Sequence, residues 1–328
     1  MSFFAILFAL LIEQARPLAR QNPIHAWLRT WARWVSSNFD AGKPHHGWVS
    51  WVLAVGGPSL LALGIHWLLL LTLGWPFAVL WSVAVLYATL GFRQFSHYFT
   101  DIRDALDAGD EAHARELLAQ WQQVDASELP RSEIVRHVIE YSVLAAHRHV
   151  FGVLAWFSVL AAFGFGPAGA VLYRMSEFVS RYWKYRSKAK NQPASAALQS
   201  AAAGAWTVID WLPARITALG FAVVGSFEEA IDCWRNYAQR FPNDNDGVIL
   251  AATSGAVNVR LGGEALKTAF TPNTSQSFQA GVAQQDSEST PGREPDLAHL
   301  RSIVGLVWRS VVMWMLLLVL LTLARLLG

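Results

Sequence analysis

GWVSWVLAVGGPSLLALGIHWLLLLTLGWPFAVLWSVAVLYATLGF, Gly47 to Phe92, runs 46 residues without an Asp, Glu, Lys or Arg. A helix rises about 1.5 Å per residue and a bilayer core is about 30 Å thick, so the stretch is expected to cross a membrane twice, at 48–73 and 76–91. Gly74-Trp75-Pro76 supplies the turn. Trp48, Trp51 and Trp75 fall near the expected ends, where aromatic belts form. His66 reads as a neutral residue facing other helices.

Composition agrees. Of 328 residues 53% are hydrophobic, 15% are charged and 16 are Trp, and mean hydropathy is +0.28. A water-soluble domain carries more charge around its core. The net charge of +2 is too small for a nucleic-acid binder. The single Cys233 excludes an internal disulfide or a cysteine metal cage, and it reads as a buried thiol.

The fold class expected is all-α: a polytopic integral membrane helical bundle with a cytoplasmic helical hairpin and one re-entrant or broken helix. Residues 1–46 hold a short embedded segment, without the marks of a cleaved signal, and a basic interfacial helix. In that helix Trp27, Trp31 and Trp34 recur at helical spacing. Residues 47–92 form the transmembrane hairpin. Residues 93–149 form a polar helical region turning at Ala108-Gly109-Asp110, and the aspartates at 101, 104, 107 and 110 read as a solvated face. Residues 150–225 return to the membrane around a basic loop, 174–190. Within them Gly164-Phe165-Gly166-Pro167-Ala168-Gly169 should break any helix, leaving a re-entrant or a kinked segment. Residues 226–302 are polar and include a disordered loop, 271–296, rich in Thr, Ser, Gln, Pro and Gly. Residues 303–328 form the last span. Basic clusters beside the apolar runs favour the cytoplasmic face, and the single cysteine suits a multi-pass protein of a bacterial inner membrane.

Phosphate loops, dinucleotide fingerprints, H-E-x-x-H and paired CxxC motifs are absent from the sequence. The chemistry therefore rests on polar residues beside apolar segments. In Ile209-Asp210-Trp211-Leu212-Pro213-Ala214-Arg215-Ile216-Thr217 an acid and a base flank a proline that should open the helix. Freed carbonyls, carboxylate and guanidinium suit a phosphate or its metal, and the same pair suits a structural ion pair. Asn243-Asp244-Asn245-Asp246-Gly247 suits Mg²⁺ or a helix cap. His147-Arg148-His149 suits an anion or a plain interfacial position.

The chain also resembles the CobD/CbiB family, membrane proteins of cobalamin biosynthesis, and its relatives of the AmpE type. Ala105-Leu106, Gly109-Asp110 and Ala114-Arg115 fit the family's A-L-x-x-G-D-x-x-x-A-R. Of the R-D-T motif that follows, Asp125 is present between Val124 and Ala126, and Glu140 resembles the first acid of E-S-x-x-E-N-x-x-D. Gly166 to Arg174 resembles G-x-x-x-A-x-x-Y-[KR]. Asp210 with Leu212 to Thr217 resembles D-x-x-N-x-x-P-A-R-L-T, while Asn245-Asp246-Gly247 and Val259 to Gly263 resemble S-P-N-x-G and v-R-L-G-G. The resemblance implies an amide synthase joining aminopropanol, or its phosphate, to the carboxylate of adenosylcobyric acid with ATP and Mg²⁺. It assigns catalysis to Asp125, Glu140, Asp210 and Arg215, substrate binding to Asn245, Asp246, Arg260 and Arg174, and metal to Asp210 and Asn245. The incomplete motifs imply the alternative, an AmpE-like signalling protein that retains the fold without the active site. Membrane lipid is an expected partner in either case, and nucleic acid is not.

Overall fold

A computed structural model describes residues 2–16, 23–122, 124–189, 194–264, 266 and 287–327. The order of helices is α1 (Ser2–Ala15), α2 (Pro23–Phe39), α3 (Pro44–Thr72), α4 (Trp75–Thr89), α5 (Phe92–Asp107), α6 (Glu111–Gln122), α7 (Arg131–Ala146), α8 (Gly152–Ala162), α9 (Ala168–Ala189), α10 (Ala196–Val224), α11 (Phe227–Tyr237), α12 (Asp244–Val257) and α13 (Leu297–Leu327). A π-helical turn, His147–Phe151, joins α7 to α8. The protein is all-α, and no strand occurs among the described residues; Val259 and Arg293 form an isolated bridge. Four helical stretches are long and apolar enough to cross a membrane: Pro44–Thr72, Arg131–Ala162, Ala196–Val224 and Leu297–Ala324.

Two compact units divide the chain. The first comprises Met1–Gln94, Arg148–Pro213 and Leu317–Gly328, the second Phe95–His147 and Ala214–Leu316. In the first, α3 packs on α2, α4 and α9, and α8 packs on α9. The second half of the opening stretch forms α4, an apolar helix of 15 residues, about 22 Å, which ends where Leu90 turns extended.

The glycine-rich break behaves as its residues dictate. Gly164 and Gly166 take φ of +82° and +52°, and Pro167 precedes α9. α8 and α9 then return on each other: Gly152 lies against Tyr173 and Gly169 against the Trp156 carbonyl, contacts in which one number rises as the other falls. Side chains there would force the helices apart. Residues 174–189, expected as a basic loop, continue α9. Their charges sit at helical spacing, Arg174, Glu177 and Arg181, and pair along one face.

Pro213 does not open α10, which is continuous. Proline deprives the carbonyl four residues earlier of its donor, and Trp156 Nε1 donates to that carbonyl, Ile209 O, at 2.9 Å. α10 starts at Ala196, and Ser195 Oγ accepts from Leu198 N while Asp40 accepts from both Ser195 N and Oγ.

In the second unit α12 packs on α11 and α7, and α6 packs on α7. Gly109, φ +79°, turns the α5–α6 hairpin, and Asp110 Oδ1 accepts from His113 N to cap α6. Of the loop expected to be disordered, 271–286 lies outside the described residues. The part 287–296 is held to 258–263 by hydrogen bonds such as Arg260 N to Arg293 O and Thr290 N to Leu261 O, both 2.8 Å.

Candidate functional site

The expected site residues fall in several polar clusters, distributed over both units. In the second unit, α7 presents Glu133, Arg136, His137 and Glu140 on neighbouring turns. Arg136, 3% exposed, donates to Glu140 Oε1 at 3.1 Å and to Glu133, while its Nη2 reaches the Glu264 carbonyl at 2.8 Å. Glu140, 2% exposed, accepts from Gly262 N at 2.7 Å. The carboxylate thereby fastens Arg260-Leu261-Gly262-Gly263, 122 residues later, to α7. Gly262 at φ +82° and Gly263 at +125° are conformations that L side chains rarely adopt. Each N–H of this segment is used. Val259 donates to Ser254 O, Arg260 to Arg293 O, Leu261 to Thr290 Oγ1, Gly262 to Glu140 and Gly263 to Ser287 Oγ. The glycine turn in this form is a fastened strap rather than an open anion nest.

At the opposite end of α12 the polar turn has two roles. Asn243 caps the helix, accepting from Asn245 N at 3.2 Å. Asn245 and Asp246 are buried, and Arg215 Nη1 donates to Asn245 Oδ1 at 3.1 Å. Thirteen residues of helix, about 20 Å, separate Asn245 from the strap. Nearby in sequence, His147 Nδ1 and Thr217 Oγ1 lie 2.9 Å apart, both buried.

In the first unit Asp210 and Tyr173 are fully buried, and Tyr173 Oη donates to Asp210 Oδ1 at 2.8 Å. The Tyr173 ring lies 5.2 Å from that of Trp206. One turn along α9, Glu177 accepts from Arg174 at 2.7 Å and from Arg181. Burial works against the Glu177 charge. The Arg181 and Arg174 guanidiniums outweigh it, with His149 and Arg148 adding to them, and hold its carboxyl at about 2, well below the usual carboxylate range. A depressed carboxyl contributes stability that is complete above its ordinary value near 4.5 and is lost as pH falls through about 2. The expected contribution is about 3 kcal/mol. Thermal unfolding in detergent should therefore weaken more between pH 4.5 and 2 in the native protein than in Glu177→Gln; parallel curves would show that the pair contributes nothing.

The expected residues are distributed over both units. Glu140 meets the strap that carries Arg260, whose side chain is exposed. Arg215 meets Asn245, with Asp246 beside it in the same turn. Asp210 and Arg174 belong to the first unit, so Asp210 and Asn245, the expected metal pair, fall in different units. Asp125 is exposed and accepts from Ser127 N and Oγ, at 3.1 and 2.7 Å, inside a turn whose Val124 and Ala126 are buried. Among the described residues no group of three His, Cys, Asp or Glu is placed to hold a metal ion. Sequence reasoning assigned no site role to Arg136, His137, Tyr173 or Glu177. The spacing of Glu133, Arg136 and Glu140 signals a helical ion ladder, whereas nothing local signals that Tyr173 meets Asp210.

Four helices long and apolar enough to cross a membrane, with buried titratable groups in each compact unit, define the class: a polytopic helical membrane protein. The chain belongs to the CobD/Cbib protein family, whose model matches residues 3–288. It is 30% identical over 324 residues to the cobalamin biosynthesis protein CobD of Stutzerimonas stutzeri, covering 96% of both chains. The protein of the same name from Chromobacterium violaceum is 34% identical over 183 residues, 56% of this chain and 55% of that one. That from Mycobacterium tuberculosis is 28% identical over 228 residues, 68% and 67%. No solved structure matches the chain.

Proposed function

We propose that the protein acts in cobalamin biosynthesis in a bacterial inner membrane, as an amide synthase joining aminopropanol or its phosphate to the carboxylate of a corrinoid, adenosylcobyric acid. The observation that carries this reading is the Arg215–Asn245 contact beside buried Asp246 at the first turn of α12. Mg²⁺ takes one or two carboxylates and completes its shell with water and substrate phosphates, so Asp246 with the Asn245 amide oxygen suits it without a larger cage. ATP with Mg²⁺ would supply carboxylate activation. Arg215 would orient the phosphate by charge-assisted hydrogen bonds, and Asn245 would hold the guanidinium in place. Glu140 would position the strap and its exposed Arg260 at the corrinoid side.

Detergent-purified protein is expected to bind adenosylcobyric acid and Mg²⁺-ATP, with nucleotide affinity falling roughly 10- to 100-fold in Arg215→Ala, the loss of one charged hydrogen-bonding partner. Absence of binding by the folded native chain would overturn the reading.

One observation favours the AmpE-like alternative. Asp125 is engaged with Ser127, and its neighbours are buried apolar residues where the family motif has arginine and threonine. On that reading the fold persists as a signalling protein, and neither ligand binds.

A further inference from the structure

We propose that α2, the corner leading into α3 and the adjoining part of α9 form a docking surface for anionic phospholipid headgroups. Three stacked indoles define its apolar edge: Trp27 lies 6.1 Å from Trp31, and Trp31 lies 5.3 Å from Trp34, ring centre to ring centre. Trp31 is tied inward, its Nε1 donating to Ala54 O on α3 at 3.2 Å and its ring lying against Gly57. Trp27 and Trp34 are 50% and 48% exposed, an arrangement suited to the boundary between headgroup and acyl chain. α2 is fixed on its other side by α9, where Trp183 Nε1 donates to Ala32 O at 3.3 Å and both residues are fully buried. The helix is therefore clamped with one aromatic edge outward.

Charge completes the surface. Arg29 and Arg33 stand on α2 two and six residues beyond Trp27, which turns them about 200° and 240° from the indole edge. Lys43 occupies the corner before α3, and Lys184 follows Trp183 on α9. Arg33, Lys43 and Lys184 are exposed and Arg29 is half-exposed. These segments carry two acids, Asp40, which accepts from Ser195 N and Oγ, and Glu177, held between Arg174 and Arg181, so basic residues outnumber acidic ones. The surface that remains is basic and aromatic, complementary to a phosphodiester above an acyl chain. Each basic side chain at a lipid surface favours anionic over zwitterionic lipid by roughly fivefold.

The test uses the full chain in nanodiscs of phosphatidylcholine containing a minor fraction of acyl-brominated lipid, carried either as phosphatidylglycerol or as phosphatidylcholine. Brominated phosphatidylglycerol is expected to quench tryptophan emission at a mole fraction about fivefold lower than the brominated zwitterion. The signal is the emission of the native chain less that of W27F/W34F, which isolates Trp27 and Trp34 from the other tryptophans, and in it the difference should vanish on introducing R29Q/R33Q/K43Q/K184Q. Should the charge variant fail to fold, the native chain still decides, because the preference should disappear from that signal on raising NaCl from about 0.05 to about 0.5 M. Equal quenching of the difference signal by the two lipids would overturn the proposal and leave an uncharged interfacial helix. A preference that ignores salt would overturn it as well.

Discussion

Arg136→Ala is expected to destabilise the second unit by about 3–5 kcal/mol, because it leaves the Glu140 carboxylate buried without its cation. Glu140 is 2% exposed and its remaining partner on the strap is a single N–H, that of Gly262. The same substitution removes the bond from Arg136 Nη2 to Glu264 O, so the strap loses its second attachment to α7. Unfolding in detergent titrated with SDS measures the loss. Arg136→Lys should recover only part of it, since an ammonium cannot serve Glu133, Glu140 and the Glu264 carbonyl in one planar fork. A loss below about 1 kcal/mol would show that the strap is held by its apolar contacts instead.

Gly152→Ala has the second large effect. A Cβ at this position would fall on Cζ and Oη of Tyr173, whose ring is fully buried beside Trp206. The ring must move, and its bond to Asp210 breaks with it. Overpacking costs about 1–3 kcal/mol, and loss of the Tyr173–Asp210 hydrogen bond about 1 kcal/mol more. A double-mutant cycle separates these contributions. Tyr173→Phe removes the clashing hydroxyl as well as the bond, so the double variant should be less destabilised than the two single losses added together. Strict additivity would show that the helices separate without the tyrosine moving.

The same two places show how far the sequence could be read. The charge-free run of Gly47–Phe92 gave α3 nearly residue for residue, because length and polarity alone decide which segment tolerates lipid. It carried the second segment on to Gly91, whereas α4 ends at Thr89, where the backbone turns extended at Leu90. The six cations between Arg174 and Lys190 suggested a loop by composition, yet Arg174, Glu177 and Arg181 carried the helical spacing throughout. Pro213 suggested a break, and the break is absent because a side chain 57 residues away supplies the missing donor.

What the sequence determined by itself is therefore the solvent, the helical class, and the turns and caps at Gly109, Gly164 to Pro167 and Asn243, all of which depend on residues a few positions apart. What only the tertiary structure decided is the partner of each buried polar group. Asp210 and Arg215, adjacent in the sequence motif, lie five residues apart on one helix and so point about 140° apart. Asp210 finds Tyr173 and Arg215 finds Asn245, while Glu140 finds Gly262. A hydrogen bond requires heavy atoms about 3 Å apart, and a buried charge is tolerable only where one is made. That geometry is set by helices packing across tens of residues, which local spacing does not encode.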